Sequence, residues 1–166
     1  MTIAVGERLP EAQLLEMTEQ GPRPVALGEL TRGRTVVIFG LPGAFTGTCT
    51  NAHVPSFMRN MEALRARGVD EVICVSVNDP FVMGAWGQAT GASGAGIRML
   101  ADADGSFTRA IGMAFDAPPV GLYGRSQRYA LLARDGVVEI LNHEPDAGVC
   151  DLSAGEAMVA ALDARG

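Results

Sequence analysis

Three cysteines (49, 74 and 150) and two histidines (53 and 143) carry the thiol and imidazole chemistry open to this 166-residue sequence. Cys49 is the most suggestive. It follows Pro42-Gly-Ala-Phe-Thr46-Gly-Thr and stands where an apolar, strand-like run gives way to a helical pattern. Unpaired N–H groups and the positive end of a helix dipole at such a place favour a thiolate. Two readings compete there: a reactive nucleophile, or a small apolar side chain buried like most free cysteines. His53 lies four residues on, on the same helical face. A structural or pocket-lining role is its simpler reading; a catalytic base or a metal ligand is the other, and no further ligand stands nearby. Cys49 with His53 could form a hydrolase pair, yet that chemistry needs an orienting acid and an oxyanion hole that the sequence does not display. The cysteine separations of 25, 76 and 101 exclude a Cys-x-x-Cys dithiol exchanger. Three Cys and two His are too few for a disulfide framework, or for a four-ligand zinc site unaided by carboxylates. Neither a metal nor a cofactor is called for.

The elements that would position Cys49 can be read from hydrophobic periodicity. Residues 35–40, Thr-Val-Val-Ile-Phe-Gly, form a continuous β-branched and aromatic run, which predicts a buried strand. From Cys49 on, Val54, Phe57, Met58, Met61 and Leu64 make one helical face. Pro55 should kink that helix or bound its first turn, and Gly68 ends it. A second buried strand is expected over residues 71–77. Asp79 and Pro80 then start a helix as cap and first residue. A third strand is predicted at 97–101 and a short helix at 106–111. Two strands at 127–134 and 137–141 flank Asp135-Gly136, the favoured chemistry of a two-residue hairpin. Ser153-Ala-Gly-Glu156 reads as a capping box ahead of a closing helix. The first thirty residues suit a small hairpin or an irregular lead-in. Crossover helices make the first strands parallel, and the tight turn makes the last pair antiparallel. The expected fold is α/β and thioredoxin-like: a mixed central β-sheet flanked by helices, as one domain over residues 1–166.

Composition narrows the function further. All 13 basic residues are arginine and lysine is absent, which excludes a Schiff-base lysine and a phosphate-loop lysine. The net charge of −6 argues against a nucleic-acid partner. The apolar region 35–45 is too short to span a bilayer, and nothing resembles a secretory signal, so a soluble cytoplasmic protein without a membrane partner is expected. The odd cysteine count fits a reducing compartment. The glycine-rich run 91–96 precedes a strand rather than opening a helix, so it is not a nucleotide fingerprint.

Pro42-x-x-x-Thr46-x-x-Cys49 resembles the active-site motif of peroxiredoxins. The wider string Pro-Gly-Ala-Phe-Thr-x-x-Cys, with His53, Val54, Pro55 and Phe57, is similar to the type II or peroxiredoxin-5 subfamily. So are Val75-Ser-Val-Asn-Asp-Pro-Phe-Val-Met83 with Ala85-Trp86, Ser126-Gln-Arg128-Tyr129-Ala130, Asp135-Gly136 and Leu141-Asn142. Gly47 stands where a proline is usual, and Ser56 where glycine is common; neither change removes a catalytic group, although Gly47 frees a φ angle that proline would fix. The resemblance implies that Cys49 attacks a hydroperoxide oxygen and becomes a sulfenic acid. It implies that Arg128 is the motif arginine, that Thr46 hydrogen-bonds the thiolate and the peroxide, and that Pro42 shields the pocket. A homodimer is implied as well.

Thiolate formation alone does not explain such chemistry. Lowering a cysteine pKa from about 8.5 to about 6 raises the thiolate fraction at pH 7 roughly 30-fold. A Brønsted slope of about 0.4–0.5 takes back roughly 13-fold in nucleophilicity. The larger gain must come from stabilising the breaking O–O bond, which a fixed guanidinium and a hydroxyl can do. Taken alone, Arg128 would be a solvated strand residue and Thr46 a helix cap.

The other cysteines bear on recycling. Cys74, mid-strand among Val and Ile, reads as a buried inert thiol, although plant type II relatives carry a cysteine in the corresponding place. Cys150, in the loop 144–150, resembles the resolving cysteine of animal peroxiredoxin-5, with a loop one residue shorter. Many bacterial relatives lack it and use glutathione or a glutaredoxin. The preferred reading is a peroxidase for hydrogen peroxide and organic hydroperoxides, recycled by glutathione or glutaredoxin, with thioredoxin as another reductant and a Cys49–Cys150 disulfide as the rival route. A redox sensor or holdase of the same fold with little turnover is the alternative function.

Overall fold

The computed structural model describes residues 1–165. At its centre lies β3 (Thr35–Gly40), buried from Val36 onward. A strand apolar on both sides must be covered on both sides. Its side chains alternate accordingly: Val37 and Phe39 join one core cluster, Val36 and Ile38 the other. β4 (Glu71–Ser76) and β5 (Arg98–Ala101) continue the sheet in parallel. The crossovers carry α2 (Val54–Ala66) and α3 (Pro80–Thr90). Asp79 caps α3 by accepting from the Val82 N–H at 2.8 Å, with Pro80 at the first helical position, as the sequence predicts.

On the other side of β3 lies β8 (Tyr129–Arg134), antiparallel, followed by β9 (Val137–His143). Asp135 and Gly136 between them both take positive φ, 51° and 77°, as a right-twisted two-residue hairpin requires. The lead-in is a hairpin of β1 (Gln13–Thr18) and β2 (Gly21–Ala26), and β1 pairs antiparallel with β5. The seven strands run in the order β2-β1-β5-β4-β3-β8-β9. Side chains of α2, α3 and α5 (Gly155–Arg165) cover the Phe39 face. Those of α1 (Leu27–Thr31) and α4 (Ser106–Ala110) cover the Ile38 face. This is the expected thioredoxin-like arrangement. Among the described residues, no helix is long and apolar enough to cross a membrane.

Four local features differ from the sequence reading. The helix does not run unbroken from Cys49: Cys49–His53 form a π turn, and α2 starts at Val54 with Pro55 in its first turn. Proline has no N–H to return to the preceding turn, and a wider turn accommodates that loss. Residues 114–126, which carry no strong periodic signal, form a two-stranded ribbon of β6 (Ala114–Ala117) and β7 (Leu122–Ser126). β8 begins at Tyr129, so Gln127 and Arg128 lie in the connection rather than in the strand. The capping box does not form. The Ser153 hydroxyl donates to Glu144 instead, and Glu156 reaches Arg59 and Asn60 on α2. Tertiary partners offer both side chains more than the local cap would. His143 ends β9 half-buried, 2.7 Å from the Gln127 side-chain oxygen.

Candidate active site

The segment between β3 and the π turn lies at the carboxyl end of a central parallel strand, where open α/β sheets bind ligands. Its shape is set by neighbouring loops. The Asn78 side-chain oxygen, just after β4, accepts from the Ala44 N–H at 3.0 Å and from the Ser76 hydroxyl at 2.6 Å. Phe45 takes the left-handed conformation at φ 65°, a cost a non-glycine residue bears only where its surroundings hold it. Trp86 on α3 donates its indole N–H to the Thr50 hydroxyl at 3.1 Å. Arg125 on β7 donates to the Pro42 carbonyl at 3.1 Å. Arg125 is a positioning residue that sequence reasoning missed; only the ribbon, itself unpredicted, brings it there.

Cys49 opens the π turn and is fully buried. Facing it is Arg128, 1% exposed. Such a buried arginine must spend its donors on fixed partners. Its Nη2 donates to Cys49 Sγ at 3.2 Å, its Nη1 donates to His53 Nδ1 at 2.9 Å, and its Nε donates to the Ala147 carbonyl at 3.0 Å. The planar fork is thus held at three points, with one edge against the sulfur. Arg128 is therefore not the solvated strand residue that its type and position, taken alone, suggest.

His53 has no base to offer Cys49. Its Nδ1 must accept from the guanidinium, which has only donors, so the proton sits on Nε2 and goes to the Ser153 carbonyl at 3.0 Å. Both nitrogens are occupied, which removes the hydrolase pairing from contention. Burial, and then the Arg128 charge, lower its pKa from 6.5 to about 3, against the pull of the Ser153 carbonyl. The folded protein therefore refuses a proton that the unfolded chain accepts below pH 6.5. His53 subtracts stability as pH falls from 6.5 toward 3, by about 1.4 kcal/mol per unit. In urea unfolding, the difference between wild type and His53→Gln is expected to be flat above pH 7 and to shift against wild type by that slope below pH 6.5. A difference that stays constant down to pH 5 would show that His53 titrates alike in both states.

Thr46 departs from expectation. Its hydroxyl donates to the Gly43 carbonyl at 2.7 Å rather than to Cys49. With its one hydrogen committed, the oxygen is left as an acceptor for an incoming O–H. Pro42 is buried beside it, at the rim of a groove of about 490 Å³ lined also by Phe115, Val120, Leu122 and Glu144. Cys74 is fully buried in β4, paired with Phe39 and Met99, and burial pushes its thiol well up. Cys150 is half-buried in the loop after β9; burial raises its thiol also, with Arg128 pulling the other way. All three cysteines are unpaired thiols. Among the described residues, no group of three or more His, Cys, Asp or Glu is placed to hold a metal.

The Redoxin family model matches residues 4–159. Peroxiredoxin-2E-2, chloroplastic, of Oryza sativa subsp. japonica is 46% identical over 165 residues, covering 97% of this chain and 73% of that protein. Peroxiredoxin-2C of the same plant is 43% identical over 161 residues, covering 96% and 98%. Among solved structures, reduced Prx3 from Vibrio vulnificus in complex with H2O2 superposes with a TM-score of 0.89 at 45% identity, covering 97% of this chain and 99% of that one.

Proposed function

This chain belongs to the redoxin family as a type II peroxiredoxin, a thiol-dependent peroxidase, and from that premise we propose that Cys49 reduces hydrogen peroxide and organic hydroperoxides and is recycled by glutathione or a glutaredoxin. The observation that carries it is the Arg128 edge 3.2 Å from the buried Cys49 sulfur. As the sulfur attacks one peroxide oxygen, the S–O bond forms, the O–O bond breaks, and negative charge grows on the departing oxygen. A preorganised guanidinium stabilises that charge in a water-poor site. The Thr46 oxygen, its own hydrogen given to Gly43, accepts from the peroxide O–H and aligns it. Cys49 becomes a sulfenic acid, and water or an alcohol leaves. The apolar groove rimmed by Pro42, Phe115, Val120 and Leu122 supports organic hydroperoxides as substrates beside hydrogen peroxide.

Recycling by an external thiol is favoured over Cys150 by two features. The Cys150 thiol is pushed up by burial, which lowers its thiolate fraction, and its segment is tied down by Glu144. Thioredoxin is the other reductant of this class. Exposed Phe45, Phe81, Val120 and Tyr123 support a homodimer, and three free thiols support a reducing, cytoplasmic setting.

The test is a single turnover with one equivalent of hydrogen peroxide, followed by dimedone trapping and non-reducing mass spectrometry. A sulfenic acid on Cys49 that glutathione then discharges is the expected result. Absence of oxidation at Cys49 would sink the peroxidase reading. A stoichiometric Cys49–Cys150 disulfide before any glutathione is added would sink the external-thiol route and leave the peroxidase standing.

A further inference from the structure

One carboxylate holds the segment that carries Cys150. Glu144, 3% exposed and directly after β9, accepts from the N–H groups of Asp151, Leu152 and Ser153 at 2.6, 3.1 and 3.1 Å. It also accepts from the Ser153 hydroxyl at 2.9 Å. Four donors converge on a group with about four acceptor sites, and charge-assisted bonds of this kind are the strong ones. Burial alone would raise the Glu144 pKa, but these donors outweigh it and the net shift is downward. The carboxylate is therefore ionised at neutral pH, the form that grips hardest.

The grip extends to the sulfur of Cys49. Ser153, clasped by Glu144, offers its carbonyl to His53 Nε2, and His53 Nδ1 meets Arg128. On its other side the guanidinium is held by Ala147, three residues before Cys150. The Glu144 N–H itself donates to the Arg128 carbonyl at 3.0 Å. Arg128 thus depends on two carbonyls, at 147 and 153, that flank Cys150 in one short segment.

We propose that Glu144 is a positioning residue for the peroxide reaction: by clasping residues 151–153 it fixes the Ser153 carbonyl, through it His53, and through His53 the Arg128 fork against Cys49, while the same clasp restrains Cys150. The proposal rests on Cys49 being the nucleophile toward peroxide. A closed segment keeps the peroxide site assembled and Cys150 withheld. An open segment frees Cys150 and takes both carbonyl supports away from Arg128, so the two states serve different sulfurs.

Glu144→Gln keeps the shape of the side chain but turns an NH2 group toward backbone donors. Ser153→Ala removes one bond to the clasp and serves as the milder companion if the first variant does not fold. Two reactions separate positioning from general damage: stopped-flow oxidation of Cys49 by hydrogen peroxide, and iodoacetamide alkylation of Cys49 and Cys150 followed site by site. In Glu144→Gln the peroxide rate is expected to fall about 10–100-fold, the scale on which a misplaced catalytic group acts. Cys49 alkylation, in which no O–O bond breaks and no charge grows on a departing oxygen, is expected to change less than about threefold. Cys150 alkylation is expected to rise at least about tenfold, because local opening governs it. Ser153→Ala should move each reading the same way by less. Variants with wild-type peroxide and Cys150 rates would overturn the clasp while leaving Cys49 as the nucleophile. An equal fall in both Cys49 reactions would overturn it too, since that marks mere structural damage. A wild type that does not oxidise at Cys49 would instead overturn the premise.

Discussion

Cys49→Ser is expected to leave hydrogen peroxide unconsumed in a stopped-flow single turnover, a loss on the order of 10⁶-fold, the scale of removing a catalytic nucleophile. Serine is nearly isosteric, and its oxygen can still accept from Arg128, so the fold and the guanidinium clamp are expected to survive. The loss comes from the hydroxyl itself. A serine needs an adjacent base to become nucleophilic. The nearby imidazole, His53, has Nδ1 facing Arg128 and Nε2 bonded to the Ser153 carbonyl, so it can take no proton from residue 49. Peroxide consumption persisting in this variant would move the chemistry to another thiol. Cys74, fully buried mid-sheet, is a poor candidate. Full activity in Cys49→Ser would end the peroxidase assignment for this site.

Arg128→Ala is expected to slow peroxide reduction by at least about 10²–10³-fold, the effect of losing one donor aimed at developing charge. Alkylation of Cys49 by iodoacetamide should fall much less, because no O–O bond breaks there. Equal slowing of both reactions would mean that Arg128 acts on the sulfur alone. Truncation also orphans His53 Nδ1 and the Ala147 carbonyl, so a second variant is useful. Arg128→Lys keeps a positive charge but cannot meet Ala147, His53 and Cys49 with one rigid fork. It too is expected to react slowly with peroxide while folding normally. A lysine variant with the wild-type peroxide rate would reduce the role of Arg128 to charge without geometry.

Much of the fold was legible because its signals are local. The β-branched run at 35–40 announces a strand buried on both sides, Asp79-Pro80 announces a helix start, and Asp135-Gly136 announces a hairpin. Each was found where its own chemistry put it. Elements defined by distant partners were not legible. Ser153 and Glu156 spell a capping box, yet Glu144, Arg59 and Asn60 claim them from other elements. The ribbon of β6 and β7 carries no periodicity of its own, and with it the hold of Arg125 on Pro42 was hidden.

By itself, the sequence determined the nucleophile candidate and its place at a strand-to-helix junction, while its resemblance to peroxiredoxins supplied the partners that peroxide chemistry needs. It also left arginine as the only permanent cation, since lysine is absent. These are properties of residue type and short-range spacing, which a linear reading can reach. Tertiary structure decided the rest. Arg128 lies 79 positions from Cys49, and only the pairing of β8 against β3 sets its guanidinium 3.2 Å from the sulfur. The tautomer of His53 follows from two partners, 75 and 100 positions away. The tie between Glu144 and the Cys150 segment follows from where the chain leaves β9. A hydrogen bond depends on distance and direction to within fractions of an ångström, and folding sets these across segments that the sequence keeps apart.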